Sequence, residues 1–568
     1  MLSNFAFLQP DWSFLFEAAN KAEGMANTDA RASCFYARRT LELAVAWLYK
    51  HDKSFRLPYQ DNLAALIHEP SFRAVLGDAL FTKAKLVKDL GNLAVHSTRK
   101  VLPADAVAAT RELFHLCYWL ARTYGLQSRP DPGLRFLLEL LPVTLAVSAL
   151  PQTLDQLQKL ETQLHERDEK LSALLSDKAA LNDELAKLRD EFAAARRANA
   201  AQPDTHDYSE AQTRDAFIDL LLKEAGWSLD AKKNFEVEVT GMPNTQGKGF
   251  VDYVLWGDDG KPLALKEAKR TRKDARIGQQ QAKLYADCLE KMYGQRPIIF
   301  YTNGYQHWLW DDVNYPPRAV QGFLKKDELE LMIQRRSSRK KLAEAVVNSQ
   351  IVERYYQTRA IRRIGEAFET DKQRKALVVM ATGAGKTRTV IALADVLMRC
   401  NWAKRILFLA DRVALVNQAV KAFKLHLPDS SPVNLVTEKN TDGRVFVSTY
   451  PTMMGLIDDA KDGQRRFGVG HFDLIIIDEA HRSVCQKYRA IFEYFDSLLV
   501  GLTATPKDEI DHNTYGLFDL ESGVPTDAYA LDDAANDGYL VPLKAVSVPL
   551  KFQREGIRYK DLPEEEQE

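Results

Sequence analysis

The sequence predicts a multidomain protein: a helical N-terminal domain, a coiled-coil or helical arm, and two successive α/β domains. Three observations predict it. Apolar residues recur at helical spacing in the first quarter of the chain, as in ARRTLELAVAWLYK (Ala37 to Lys50) and AVAATRELFHLCYWLARTYG (Ala106 to Gly125). Residues 154–197 then lack Gly and Pro and turn rich in Leu, Ala, Lys, Glu and Asp. Beyond them, strand-like and helix-like segments alternate, the pattern of an α/β fold. A length of 568 residues leaves room for roughly four domains at about 150 residues each.

Composition narrows the function classes. The apolar fraction of 46% is ordinary for globular protein. The formal net charge is -1, so no global positive field announces nucleic acid, and any contact with DNA must come from local basic patches. The five cysteines, Cys34, Cys117, Cys288, Cys400 and Cys485, are scattered without any C-x-x-C spacing. This speaks against a disulfide framework or a zinc site and suits a reducing cytoplasm. The start lacks a basic n-region, and Asp11 interrupts its apolar stretch, so no signal peptide is expected. No apolar run reaches the ~18 residues of a membrane span, so no membrane partner is expected.

The helical domain is placed at residues 1–135. Within it, Asn92 and His96 stand one helical turn apart. The region resembles a small helical domain often found before restriction motors. It is also similar to helical ribonuclease domains with an Arg-Asn-x-x-x-His signature, but Gly91 occupies the Arg position, and helix packing is the expected role of both residues. After the proline-marked junction at Pro130 to Pro151, leucines at 157, 160, 164, 171, 174, 181, 185 and 188, with Phe192 following, give an a/d heptad interrupted at Arg167 and Lys178. The pattern fits an arm over 154–200 that is a coiled coil or helical hairpin. A long helix packing on its own chain fits equally. The stretch 201–210 reads as a linker, and a charged helix (RRSSRKKLAEAV) near 334–349 separates α/β regions placed at 205–335 and 350–545.

The later α/β region carries the more specific motifs. ALVVMATGAGKTRT (Ala376 to Thr389) reads as an apolar strand, a glycine turn and a helix. Backbone N–H groups over Thr382, Gly383, Ala384 and Gly385 would cradle phosphates, and only small residues let the backbone approach. Lys386 would reach the β/γ-phosphates of ATP, and Thr387 would ligate Mg²⁺. Met380 stands where the general P-loop pattern has its first glycine. In HFDLIIIDEAH (His471 to His481) a buried strand ends in acids: Asp478 would hold Mg²⁺ and Glu479 would orient the attacking water. VGLTATP (Val500 to Pro506) supplies Thr503 and Thr505. ILFLADRVALVNQ (Ile406 to Gln418) and VFVSTYPTM (Val445 to Met453) sit where DNA-backbone contacts are expected, and Gln357, beside Tyr356, looks like an adenine-reading glutamine. The motifs together resemble a superfamily 2 nucleic-acid motor, which implies a RecA-like P-loop fold and a DEAH box.

The earlier α/β region carries a second constellation. KGFVDYVLWGDDGKPLALKEAK (Lys248 to Lys269) reads as two strands joined by a turn at Asp258 to Pro262. Asp252 lies on the first strand. Glu267 and Lys269, two apart on the second, point to one face. Two carboxylates would bind Mg²⁺ against a scissile phosphate, and Lys269 would position the water or stabilise the developing charge. A helix precedes them (Glu210 to Trp227), and Gln281 and Tyr285 follow as Gln-x-x-x-Tyr. This resembles a PD-(D/E)xK-type nuclease domain. Glu210 is a further candidate ligand, and KRTRKDAR (Lys269 to Arg276) could face DNA phosphates.

A nuclease of this type ahead of such a motor resembles the restriction (R) subunit of type I restriction-modification enzymes, and so does the stretch from Asn513 to Pro542. The resemblance implies ATP-powered translocation along double-stranded DNA, cleavage away from the recognition site, and methyltransferase and specificity subunits as partners. The nuclease-first order separates the chain from type III subunits. The family also has a second RecA-like domain, of which residues 546–568 would be the start, so a truncated chain is expected. A standalone helicase-nuclease of repair or phage defence, and a partner-docking module with vestigial sites, are the competing readings.

Overall fold

The computed structural model describes residues 3–58, 62–127, 129–142, 153–176, 179–200, 211–228, 234–268, 278–302, 306–438, 442–457, 459–461, 464–480, 488–504 and 512–541, with side chains at 167–186, 211–217 and a few further positions left aside. Helices α1 (Ser13–Met25), α2 (Ala30–His51), α3 (Leu63–His68), α4 (Pro70–His96) and α5 (Pro103–Tyr124) build the N-terminal part. The side chains of Asp29 and Asn62 cap α2 and α3, and Pro70 and Pro103 open α4 and α5, where a missing N–H costs nothing. Phe5, Trp12, Phe72, Phe114, Tyr118 and Tyr124 are buried among them. Lys83, Glu112 and His115 form a buried polar knot, with Lys83 Nζ 2.9 Å from His115 Nδ1 and paired to Glu112. Asn92 and His96 lie on the last turns of α4, and His96 is exposed.

The predicted arm is helical as α6 (Leu154–Ser176) and α7 (Ala179–Ala200). At its two ends the apolar stripe packs on its own chain, while Leu188 is exposed. Leu157 is fully buried with Ala32, Phe35 and Val95, and Phe192 meets the Trp47 ring edge-on at 4.7 Å. The middle of the heptad, residues 167–186, lies outside the described side chains.

After α8 (Ala211–Glu224) comes a six-stranded sheet of β1 (Phe235–Thr240), β2 (Lys248–Trp256), β3 (Pro262–Ala268), β4 (Ile298–Thr302), β5 (His307–Trp310) and β6 (Arg318–Val320), in that order. Only β3 and β4 are parallel, as their crossover through α9 (Gln279–Tyr293) requires. The turn between β2 and β3 closes with Gly257 N–H donating to Lys261 O at 2.9 Å. One face of the sheet packs on α9 through Leu265, Ile299 and Tyr301, and the other joins Leu221 and Leu222 of α8 through Tyr253 and Phe300.

The charged helix expected near 334–349 is shorter: α10 (Lys326–Ser338) ends where Arg339 turns extended. Leu342 and Ala345 are buried, and Glu369 accepts hydrogen bonds from the Leu342 and Ala343 amides, so tertiary contacts hold this segment in an irregular path.

The last region is a seven-stranded, wholly parallel sheet. Its strands are β7 (Lys375–Met380), β8 (Ile406–Ala410), β9 (Val433–Asn434), β10 (Val445–Thr449), β13 (Leu474–Ile477), β14 (Leu498–Thr503) and β15 (Asp527–Tyr529), beside a small hairpin of β11 (Ala460–Lys461) and β12 (Gln464–Arg465). The order is β15-β7-β14-β13-β8-β10-β9. Its strands read as continuous apolar runs because both faces are covered. α11 (Tyr355–Glu369), α12 (Lys386–Arg399) and α13 (Val413–His426) cover one face, and α14 (Tyr450–Leu456) and α15 (Arg489–Tyr494) the other, before α16 (His512–Leu517) and α17 (Leu531–Asn536).

The two sheets meet through a buried clamp. Arg318 on β6 grips Asp496 with Nε at 2.5 Å and Nη2 at 2.6 Å, and Arg374 reaches the same carboxylate at 3.0 Å. Arg335 on α10 pairs with Asp473, whose other oxygen accepts the Lys404 and Arg405 amides at 2.7 and 2.9 Å. These residues precede β7, β8, β13 and β14. The earlier region therefore docks on the strand-start edge of the parallel sheet and leaves the strand ends clear.

Candidate functional site

Open parallel sheets bind ligands at the carboxyl ends of their strands. There the structure gathers the predicted nucleotide-site residues. β7 ends at Met380 and passes through a tight loop into α12. Gly383 and Gly385 have φ of 86° and 93°, which β-carbon-bearing residues rarely adopt. A Cβ on Gly385 would also stand 2.6 Å from Gln357 Nε2. Thr382 and Gly383 are exposed, Ala384 is buried, and Lys386 and Thr387 are half-buried at the start of α12. Lys386 Nζ lies 3.6 Å from Glu479 Oε1 and 3.5 Å from Met380 O.

The acid loop follows β13, one strand beyond β14. Asp478 N–H donates to Leu409 O at 3.0 Å, and Ala480 N–H donates to Leu502 O at 2.7 Å. Between these anchors Glu479 takes φ +53°, an uncommon conformation for a side-chain-bearing residue. Burial and then the neighbouring Glu479 charge push the Asp478 carboxyl above its usual range, while Lys386 pulls it down. A cation bound there would relieve the strain on the charged form. Thr503, wholly buried, ends β14 beside Val379 of β7. His481 and Thr505 lie outside the described residues.

Gln357 sits inside the first turn of α11. Its Nε2 is 3.4 Å from Ala384 O, and its Oε1 accepts the Arg354 amide at 3.4 Å. Tyr356 donates to Ala384 O at 2.8 Å and stacks on Tyr529 at 3.7 Å between centroids. The segment after the Thr503 motif thus returns as edge strand β15 and props the glutamine turn. Sequence reading missed this stack, and the aromatic spacing gives no signal for it. A glycine cradle, a lysine, a hydroxyl and two acids are a donor set that fits a nucleoside triphosphate with a hard divalent cation.

In the earlier sheet, Tyr253 of β2 pairs with Lys266 of β3, and Asp252 and Glu267 are the next residues along the two strands. Glu267 is buried and pairs in turn with Tyr301. The strand is distorted at this point. Phe235 and Tyr253 pack on the α8 side, while Val251, two residues along, belongs to the α9 cluster with Val237 beside it. Regular pleating would keep residues two apart on one face. Opposite Asp252, Glu236 has φ +47°. Local distortions of this kind are over-represented beside active sites. Gln281 Nε2 donates to Tyr285 OH at 2.7 Å, and Tyr285 lies against β2. Lys269, the basic run to Arg276, and Glu210 lie outside the described residues. Among the described residues no cluster of three or more His, Cys, Asp or Glu forms a metal site. Mg²⁺ is often held by one or two carboxylates and keeps several waters.

Gly249, unremarked in the sequence, is fixed by this packing: a Cβ there would stand 2.7 Å from Tyr285 Cε1. Gly249→Ala is expected to lower stability by about 1–3 kcal/mol through overpacking. A lower midpoint of urea unfolding checks it, and an unchanged midpoint would show that Tyr285 yields freely.

Fold and strand-end geometry together define a RecA-like, P-loop domain of the helicase type. The family described as "Type III restriction enzyme, res subunit" matches residues 350–508, and a domain of unknown function, DUF4145, matches 20–131. The chain is 31% identical over 366 residues to the endonuclease subunit of the type I restriction enzyme EcoAI of Escherichia coli, covering 59% of this chain and 43% of that protein. It is 26% identical over 424 residues to the EcoKI endonuclease subunit of Escherichia coli K12, covering 59% of this chain and 35% of that protein. A solved fragment of an HsdR subunit of a type I restriction enzyme from Vibrio vulnificus YJ016 is 26% identical over 58% of this chain and 60% of its own, with a TM-score of 0.26. The chain resembles type I restriction endonuclease (R) subunits and carries a restriction-type helicase domain. It spans less than half the length of these curated relatives. No helix among the described residues is long and apolar enough to cross a membrane.

Proposed function

We propose that the chain provides the nuclease and the first motor domain of a type I restriction endonuclease subunit, which translocates double-stranded DNA on ATP and cuts it away from the recognition site. The observation that carries this reading is the coexistence on one chain of a P-loop with an acid loop at the ends of parallel strands and an Asp252–Glu267 pair on adjacent strands. In this reading methyltransferase and specificity subunits supply recognition, and the relatives, named as endonuclease subunits, support only that the restriction enzyme has further subunits.

Backbone N–H groups from Gly383 to Gly385 hold phosphates, Lys386 swings from Glu479 to the β/γ-phosphates, and Gln357 reads adenine. Glu479, released from Lys386, orients the attacking water. Thr387 and Asp478 would hold Mg²⁺ at this cleft, and Asp252 and Glu267 at the nuclease. A Mg²⁺ ion held by Asp252 and Glu267 would supply Lewis-acid charge stabilisation for phosphodiester hydrolysis. Lys269 steadies the scissile phosphate, with Gln281 and Tyr285 alongside.

The test uses the full-length subunit with its partners, circular DNA, ATP and Mg²⁺. Asp252→Ala is expected to keep DNA-stimulated ATPase and triplex displacement within about twofold and to lose cleavage by at least about a hundredfold, since a metal ligand is gone. Cleavage at the wild-type rate in that variant would remove the nuclease assignment.

A further inference from the structure

Tyr450 lies within the expected DNA-contact motif VFVSTYPTM, just after β10, and is fully buried. Its hydroxyl donates to Asp478 O at 2.8 Å and lies 3.4 Å from Leu409 O. Leu409 O also accepts the Asp478 amide, so one carbonyl on β8 and one hydroxyl on α14 grip both ends of the Asp478 residue. The next residue is Glu479, held at φ +53° with its far side tied by Ala480 N–H to Leu502 O. A peptide in such a conformation persists only when its surroundings over-determine it. The Tyr450 ring cannot drift: it stacks on Tyr488 at 5.2 Å, and Thr449 Oγ1 caps α14 by accepting the Thr452 amide at 3.3 Å.

We propose that Tyr450 is a positioning residue for ATP hydrolysis, which sets the Asp478–Glu479 peptide through its hydroxyl and joins the DNA-contact strand end to the acid loop. This rests on the nucleotide-hydrolysis reading above. Tyr450 touches neither nucleotide nor water in this role. Its effect passes through the Asp478 carbonyl to the carboxylates on either side of it.

Tyr450→Phe keeps the stacked ring and deletes the hydroxyl. In the full-length subunit, kcat for DNA-stimulated ATPase should fall about three- to tenfold, the size of one lost hydrogen bond. The KM for ATP should stay within about twofold. Without nucleotide, amide exchange over residues 474–480 should quicken, because the acid loop has lost an anchor. Tyr494→Phe is the control: it removes an equally buried hydroxyl-to-carbonyl bond, to Phe467 O at 2.9 Å, away from the nucleotide loop. It should match the stability loss and spare both kcat and exchange at 474–480. Unchanged kcat and exchange in Tyr450→Phe, or an equal kcat loss in Tyr494→Phe, overturns the proposal. A wild-type subunit without ATPase would instead sink the hydrolysis reading on which it rests, and the two failures are told apart by that wild-type measurement.

Discussion

Lys386→Ala is expected to abolish ATP hydrolysis, translocation and DNA cleavage together, each by at least about a hundredfold, the scale of deleting one charge-stabilising donor from a preorganised site. In the structure the Lys386 ammonium is half-buried at the mouth of the phosphate loop and rests 3.6 Å from Glu479. The alanine variant loses the charge that meets the β/γ-phosphates and leaves the loop glycines and α12 in place, so the fold should survive. The Asp252–Glu267 pair lies on a different sheet and stays chemically whole. Loss of cleavage in Lys386→Ala would therefore report coupling and not damage to the proposed nuclease site. Triplex displacement, ATPase rate and gel analysis of circular DNA read the three activities from one preparation. Wild-type cleavage by Lys386→Ala would end the motor-driven restriction reading and leave a nuclease beside an incidental nucleotide site.

Asp496→Ala should have the largest effect on stability, about 3–5 kcal/mol, the usual cost of stranding one side of a buried ion pair. The Asp496 carboxylate serves two guanidiniums at once, Arg318 at 2.5 Å and Arg374 at 3.0 Å. Burial by itself would raise its pKa, but Arg318 and Arg374 together outweigh burial and hold it well below the usual carboxylate range. A depressed carboxylate contributes stability that is fully present above its unfolded pKa and lost as pH falls through the folded one. Acid should thus weaken the wild-type clamp progressively below about pH 4, so the stability difference between wild type and the alanine variant should shrink in that window. A chain of several regions need not unfold in one step, so the midpoint of each resolved urea transition is the quantity to compare. A loss below about 1 kcal/mol with an unchanged acid profile would show that the two sheets do not depend on Asp496. Arg374 and Asp496 directly precede β7 and β14, which lead to the phosphate loop and to Thr503. The same variant should therefore loosen the six-stranded sheet from the parallel sheet without touching the strand ends.

Local chemistry was legible in the sequence because local rules are strict. A strand, a glycine turn and a helix are needed to wrap phosphate, and ALVVMATGAGKTRT leaves little else to build. An apolar run ending in Asp478 and Glu479 is a buried parallel strand reaching its carboxyl end. Two strands around a turn at Asp258 to Pro262 put Asp252 and Glu267 on neighbouring strands, whereas their register came only from the pairing of Tyr253 with Lys266. What required the tertiary structure is long-range. Strand β15 returns to the edge beside β7 to stack Tyr529 on Tyr356, across more than 170 residues of sequence, and no spacing encodes that. The heptad of α6 and α7 reads alike whether a leucine meets a partner helix or its own domain; the burial of Leu157 against Phe35 and the Phe192–Trp47 contact decided it for the described ends. The charged stretch after Ser338 has helical propensity, yet burial of Leu342 and Ala345 holds it irregular. Asp496 lies in no motif, and Tyr450 and Gly249 lie in motif stretches that assign them no role: a hydroxyl, a carboxylate and a missing β-carbon gain their roles only from the partners that folding brings to them. Sequence specifies a short-range pattern through backbone geometry and periodicity, whereas a buried polar contact between distant segments exists only once the packing that excludes water has formed.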